Sequence, residues 1–242
     1  MRCEFDGGAG QGARLGLIVL STDESLEHEL GQIAGGRVNL LHSRIPAIPE
    51  VTPETLRVMA GHMTAVAGLL PQGLSAVGYG CTSGSVMIGD DEVARLIRAA
   101  HPDVAVTNPM QAVIGGLEAL GVRRIALVSP YLPSVTEPMR AHMATHGIEV
   151  IHEISFGEGD DRRVARISEA STRAAMLEAG RVAGVEAVFS SCTNLRSLSV
   201  IDEVEQALGL PVISSNQALG WDLMRSAGQD PRGWGPGRLF QL

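Results

Sequence analysis

From Arg14 onwards, short apolar runs alternate with longer segments in which apolar residues recur at helical spacing. Short apolar runs predict buried strands, and the helical spacing predicts helices with one buried face. The predicted strands are LGLIVL, VNLLHSRI, AVGYG, VAV, RIALVSP, VIHEISF, AVFSS and PVISS. The predicted helices span residues 24–33, 53–70, 90–100, 110–120, 135–146, 163–179, 201–208 and 217–224. This alternation predicts an α/β fold with short parallel sheets.

The same pattern occurs twice along the chain. The segment RLGLIVLST matches RRIALVSPY, and AVGYGCTSGS matches AVFSSCTNLRS. A repeat of this length predicts two similar halves related by a pseudo-two-fold axis. We expect residues 14–116 and 217–242 to form a first half with Cys81, and residues 117–216 to form a second half with Cys192. Residues 1–13 are predicted to be a flexible lead-in.

Composition and charge limit the kinds of partner that the protein can bind and the cellular compartment expected for it. Of 242 residues, 45% are hydrophobic and 3% aromatic, so aliphatic side chains must build the core. The net charge of -8 disfavours nucleic acid and anionic membrane surfaces as partners. The apolar runs are far shorter than the roughly 20 residues of a membrane span, and the N-terminus lacks an apolar signal core. We therefore expect a cytoplasmic protein.

Several other kinds of site are disfavoured. The glycines of the first dozen residues precede a strand, whereas a dinucleotide-binding loop has them between strand and helix. His142 and His146 have the spacing of a metal-binding helix face, but no third ligand accompanies them, so we expect no metal. The three cysteines include no CxxC pair and form neither a disulfide framework nor a zinc site. Each cysteine is therefore expected to be a free thiol with a role of its own.

Two of the cysteines occupy equivalent positions in the repeat, directly after an apolar strand. Cys81 is followed by Thr82 and Ser83, and Cys192 by Thr193 and Asn194. The carboxyl ends of parallel strands form ligand sites, and a strand-to-helix turn provides backbone N–H groups that bind carboxylates and lower the pKa of a thiol. If the halves face each other, both thiols reach one cleft.

Two opposed thiols are suited to moving a proton from one face of a carbon to the other, since one acts as base and the other as acid. A thiol can also add to an activated alkene. The alternative is that each cysteine packs as a small apolar residue.

The motifs GCTSGS, SPYLPSV, FSSCTNLRS and PVISSNQALGWDL resemble the aspartate/glutamate racemase superfamily, above all maleate cis-trans isomerases and the racemase-like proteins of ectoine utilisation. The resemblance implies an enzyme without a cofactor, a small carboxylate as substrate, and a homodimer or larger assembly. It implies that Cys81 is the nucleophile or first base and that Cys192 handles the proton. It also makes Tyr131 a candidate donor to a substrate carboxylate, although a packing role is equally compatible with the sequence.

The arylmalonate decarboxylases are more distant relatives by this resemblance. They have glycine where this chain has Cys81, so decarboxylation fits less well. Maleate isomerases have asparagine where this chain has Asp23 and Asp161. An ionised carboxylate only accepts hydrogen bonds and repels a substrate carboxylate, which favours a substrate with an amine or hydroxyl group. The alternative for Asp23 is a cap on the following helix.

Four functions therefore remain open. The first is a racemase or isomerase acting on a small carboxylate, such as a diaminobutyrate- or hydroxyectoine-derived compound. The others are a maleate isomerase that forms a covalent Cys81 adduct, an arylmalonate decarboxylase-like enzyme, and a carboxylate-binding protein without catalysis. In each, Thr82, Ser83, Thr193 and Asn194 are predicted to donate hydrogen bonds to the carboxylate.

Overall fold

The computed structural model describes residues 2–6 and 12–242. Part of the predicted lead-in, residues 1 and 7–11, lies outside the described residues. The strands are β1 (Arg14–Leu20), β2 (Asn39–Ile45), β3 (Ala76–Gly80), β4 (Ala105–Thr107), β5 (Arg124–Ser129), β6 (Glu149–Ser155), β7 (Ala187–Ser190) and β8 (Val212–Ser214). The helices are α1 (Leu26–Ala34), α2 (Pro53–Val58), α3 (Ala60–Ala67), α4 (Thr82–Ile88), α5 (Asp90–Arg98), α6 (Pro109–Ala119), α7 (Pro133–Thr145), α8 (Asp161–Val164), α9 (Glu169–Gly180), α10 (Ile201–Leu208) and α11 (Ser215–Ser226). Short 3-10 helices lie at Leu198–Val200 and Arg238–Gln241.

These strands form two four-stranded sheets with the same topology. The first has the order β2-β1-β3-β4 and the second has the order β6-β5-β7-β8. All strand pairs within them are parallel. The predicted α/β fold with two similar parallel-sheet halves is therefore confirmed. Since β3 and β7 are the third strands in order of their sheets, the two cysteines follow equivalent strands.

The helices differ from the prediction in three places. The predicted helix over 53–70 is two helices, α2 and α3, which meet at Met59. The predicted helix over 163–179 is likewise divided into α8 and α9. Helix α4 was not predicted, because its sequence TSGSVMI is dominated by small and hydroxyl residues and has no helical repeat of apolar positions.

The halves are joined by helices that pack on the opposite sheet. Helix α11 follows β8 of the second sheet but packs against β3 and β4 of the first. Helix α6 follows β4 of the first sheet and contacts β8 of the second. One cluster of buried apolar residues runs through both halves as a result. Within residues 2–6 and 12–242, no helix has the length and apolar character needed to cross a membrane.

Candidate active site

Cys81 lies at the point where β3 ends and α4 begins. It is the N-cap of the helix, with extended backbone, and its Sγ accepts a hydrogen bond from the Gly84 N–H at 3.2 Å. Ser83 Oγ lies 3.8 Å from the same sulfur. A Cβ atom on Gly84 would lie 2.8 Å from this sulfur and 2.6 Å from the Tyr79 hydroxyl, so the glycine leaves room for the thiol.

Cys192 follows β7 but has a different local structure. No α-helix begins there, and the backbone has φ of +114°, in the left-handed region that favours glycine. Its N–H donates to Ser215 Oγ at 3.1 Å, and Thr82 Oγ1 donates to the same oxygen at 2.8 Å. The two strand ends are therefore equivalent, whereas the turns after them are not.

Both thiols line one buried cavity between the halves. Four other predicted site residues line it as well: Ser83, Tyr131, Asp161 and Thr193. Tyr131 is buried, which raises its pKa, and the charges of Cys192 and Cys81 raise it further while Ser83 lowers it, so its hydroxyl lies near both cysteines. The rest of the lining is mostly apolar and consists of Leu20, Ala47, Ile48, Val51, Thr55, Leu56 and Met59.

A backbone bridge borders this cavity, which Val51 and Asp161 both line. The Val51 N–H donates to the Gly159 carbonyl at 2.8 Å, and the Asp161 N–H donates to the Pro49 carbonyl at 2.8 Å. The segment between β2 and α2 is thereby bound to the segment between β6 and α8. The space is narrow, about 20 Å³, which is room for one or two water molecules. The half-exposed Ile48 lies at its outer side.

Burial sets the ionisation of both thiols. It raises the pKa of Cys81 to about 12, although the Gly84 N–H, Ser83 and Tyr79 act in the opposite direction. It also raises the pKa of Cys192 well above its ordinary value, against hydrogen bonds from Tyr131 and the Asn194 N–H. The thiol pKa values expected to be low at these turns are thus high, because desolvation outweighs the local donors. With pKa values raised in this way, both thiols favour the protonated form at neutral pH.

Asp161 is the acidic residue of the cavity wall. Thr22 Oγ1 donates to its Oδ2 at 2.5 Å, and burial raises the pKa of its carboxyl. The charge of Asp161 also raises the pKa values of Cys81 and Cys192. Among the described residues that line the cavity there is no lysine, arginine or histidine. The cavity therefore offers hydrogen bonds and negative charge, but no cation.

Three of the predicted site residues lie behind the cavity wall. Thr82 binds Ser215 as described above, and Asp23 Oδ1 caps α1 by accepting hydrogen bonds from the Ser25 and Leu26 N–H groups, both at 2.8 Å. Asn194 Nδ2 donates to the Asp161 carbonyl at 2.9 Å. For Asp23 the capping alternative therefore describes its contacts. Its carboxyl is 1% exposed, and burial raises its pKa to about 6.

The sequence prediction missed Ser215 and the apolar wall. Ser215 follows β8, far along the chain from Thr82, and the pairing of β8 with β7 places it beside Cys192. Met59 belongs to the apolar core but also lines the cavity and accepts a hydrogen bond from the Tyr79 hydroxyl at 3.5 Å. No group of three potential metal-binding side chains is found within residues 2–6 and 12–242.

The family model described as arylmalonate decarboxylase matches residues 15–240. The chain belongs to the arylmalonate decarboxylase family. Over 136 residues it is 37% identical to arylmalonate decarboxylase of Bordetella bronchiseptica, a match covering 55% of this chain and 57% of that protein. It is also 26% identical to maleate isomerase of Nocardia farcinica over 242 residues, covering 94% of this chain and 95% of that protein. The predicted superfamily resemblance is confirmed, and its link to ectoine utilisation stays a prediction.

Solved structures of this arylmalonate decarboxylase family and of maleate isomerases share the fold. A liganded variant of arylmalonate decarboxylase, with one glycine changed to cysteine and one cysteine to serine, matches with a TM-score of 0.81 and 30% identity, covering 95% of this chain and 99% of that one. A Nocardia farcinica maleate cis-trans isomerase variant with a covalently bound succinylcysteine intermediate matches with a TM-score of 0.85 and 23% identity, covering 95% and 98%.

Proposed function

We propose that the protein is a cofactor-independent isomerase or racemase that acts on a small carboxylate through Cys81 and Cys192. The observation that supports this most directly is the position of the two thiols, which line one narrow cavity from different halves. Tyr131 and Ser83 also line this cavity and can donate hydrogen bonds to a substrate carboxylate.

In the racemisation reaction, the thiolate of one cysteine removes a proton from the carbon beside the carboxylate. The Cα–H bond breaks, an S–H bond forms, and the electron pair is delocalised into the carboxylate. The opposite thiol then donates its proton to the other face and becomes a thiolate. The two cysteines thus exchange protonation states in each turnover. Because burial raises both thiol pKa values, we expect the first thiolate to form as the substrate binds, when its hydrogen-bonding groups replace solvent around the thiol.

The charges in the cavity support a substrate that has an amine or hydroxyl group. Asp161 lines the wall, and no cation among the described lining residues offsets a second carboxylate. A dianion such as maleate would be repelled, whereas an ammonium or hydroxyl group would satisfy the Asp161 carboxylate. Diaminobutyrate- and hydroxyectoine-derived compounds have such groups and are our first candidates.

Specific observations favour two further candidates. The apolar wall of Val51, Leu56 and Met59 would suit the aryl group of an arylmalonate, and the chain's family is named for arylmalonate decarboxylase. The two carboxylates of such a substrate meet the same repulsion from Asp161 as those of maleate. The maleate isomerase relatives cover nearly the whole chain, and in this reaction Cys81 would form a thioether to one alkene carbon.

The decisive experiment combines turnover in deuterated water with mass spectrometry of the protein. We expect 2-amino or 2-hydroxy acids to gain one deuterium at the α-carbon and to racemise, with no mass added to Cys81. Cys81→Ser and Cys192→Ser should each lower kcat/KM by about 10³-fold or more, since each removes an acid–base group. Cys3→Ser is the matched control, because Cys3 is exposed and away from the cavity.

Other outcomes would assign other functions. A succinyl-sized adduct on Cys81 with maleate would replace racemisation by cis-trans isomerisation, and carbon dioxide release from phenylmalonate would indicate decarboxylation. Full turnover by Cys192→Ser would contradict the two-thiol mechanism. Binding of a carboxylate that survives in the Cys81→Ala/Cys192→Ala variant, with no turnover by the parent, would indicate a binding protein.

A further inference from the structure

Cys192 has a backbone conformation that residues other than glycine rarely adopt. Among the described residues, only Cys192 and Asp103 combine a side chain with positive φ. Such a conformation persists only where surrounding contacts maintain it. The contacts of the segment that follows, residues 193–198, therefore determine where the Cys192 thiol lies.

Two side chains from distant parts of the chain hold this segment at both ends. On α1, Glu29 Oε1 accepts hydrogen bonds from the Ser197 N–H at 3.0 Å and the Leu198 N–H at 3.1 Å. On α11, Asn216 Nδ2 donates to the Thr193 carbonyl at 2.7 Å and to Glu29 Oε2 at 2.7 Å. The segment is thus joined to a helix of the first half and to the C-terminal helix.

The two side chains form one buried unit. Glu29 is 5% exposed and Asn216 is 1% exposed. Both contacts of Asn216 Nδ2 are with acceptors, which fixes the orientation of its amide. Three N–H donors surround the Glu29 carboxylate, and replacing it with an amide would place an NH2 group against one of them. The geometry therefore needs a carboxylate at 29 and an amide at 216.

We propose that Glu29 and Asn216 are positioning residues for Cys192. Neither lines the cavity, so they act by fixing the Thr193 carbonyl and the Ser197 and Leu198 N–H groups. The catalytic part of this proposal rests on the proposed function, in which Cys192 is an acid or base. The position of the thiol is measurable without any substrate.

The first test is therefore competitive alkylation with iodoacetamide, with the labelling ratio of Cys192 to Cys81 read by peptide mass spectrometry. Glu29→Ala and Asn216→Ala should each change this ratio by about tenfold, because they alter the exposure and hydrogen bonding of one thiol only. Glu27→Ala is the matched control, since Glu27 lies on the same helix and pairs with the exposed Arg44 at 2.6 Å. A ratio that is the same in all four proteins would overturn the proposal.

The second test uses steady-state kinetics once a substrate is known. We expect Glu29→Ala and Asn216→Ala to lower kcat by about 10²-fold with KM changed by less than about threefold, since misplacement of a reacting group lowers the rate of the chemical step. The double variant should be no slower than the slower single variant, because the pair acts as one unit. Effects that multiply, or a change confined to KM, would overturn the proposal.

Two variants keep the test decisive if Glu29→Ala fails to fold. Asn216→Ala leaves Glu29 its two backbone donors, and Glu29→Gln keeps the side-chain size and should give an intermediate alkylation ratio. If no substrate is ever turned over but the ratio changes as expected, the proposed function fails and the positioning role stands. If turnover is found and the ratio is unchanged, the reverse holds.

Discussion

The buried carboxyl group of Asp23, near the cavity, makes the free energy of unfolding depend on pH. Burial raises the pKa of Asp23 to about 6 from an ordinary value of 3.8, and Asp161 raises it further, while two backbone N–H groups oppose the rise. A group whose pKa is higher in the folded state favours folding when it is protonated. The contribution of Asp23 is therefore fully present below pH 3.8 and is lost as the pH rises through about 6.

Asp23→Asn tests this directly, because asparagine keeps the Oδ1 acceptor for the Ser25 and Leu26 N–H groups. Two pKa units correspond to about 3 kcal/mol. We expect the free energy of unfolding of the variant, relative to the parent, to increase by an amount of this order between about pH 4 and pH 7. Urea unfolding at several pH values measures it, and a difference that stays constant over this range would contradict the assignment.

At the residue scale, the sequence predicted where the thiols lie but not how they ionise. Cys81 and Cys192 were predicted as site residues because they occupy equivalent positions in the two copies of an internal repeat. Their pKa values depend on burial by residues from both halves, which no local motif encodes. Ser215 was missed for the same reason, since its partner Thr82 is brought to it only by tertiary packing.

At the scale of elements, helix α4 determines the environment of Cys81. The eight strands were predicted because short apolar runs are a strong local signal. Helix α4 was not, since its buried positions are Thr82, Ser83, Gly84 and Ser85 rather than large apolar residues. Such a helix is stabilised by packing against α2, α6 and α7. The spacing of apolar residues in the sequence does not indicate this packing.

Gly84 gives a sharp test of this element. In Gly84→Ala the new Cβ would lie within 3 Å of both the Cys81 sulfur and the Tyr79 hydroxyl, so the thiol must move. We expect kcat/KM to fall by about 10²-fold, since small displacements of reacting groups have effects of this size.

Gly115→Ala is the matched control for that substitution. Gly115 lies within α6, and a Cβ there would meet no atom within 4 Å. Alanine should stabilise this helix by about 0.5–1 kcal/mol and leave activity unchanged. Thermal unfolding and kinetics of both variants check the pair, and equal activity of the two variants would show that Gly84 has no special role.

At the scale of the whole molecule, the two halves share one core. The main apolar cluster contains residues of both sheets, such as Val77 and Val188, and the backbone bridge at Val51 joins the halves beside the cavity. Residues 14–116 with 217–242, and residues 117–216, are therefore not expected to unfold separately.

Denaturant unfolding followed by thiol labelling measures this cooperativity. We expect Cys81 and Cys192 to become reactive at the same denaturant concentration, and that concentration should match the midpoint seen by far-UV circular dichroism. Two separate midpoints, with one thiol labelled before the other, would show that each half is a folding unit of its own.

The crossing of α6 and α11 between the sheets makes the two halves depend on each other. Helix α6 follows β4 but contacts β8, α11 follows β8 but packs against β3 and β4, and the two helices pack against each other. Neither half could bury its last helix without the other. The packing that brings both thiols to one cavity is therefore the same packing that completes the core.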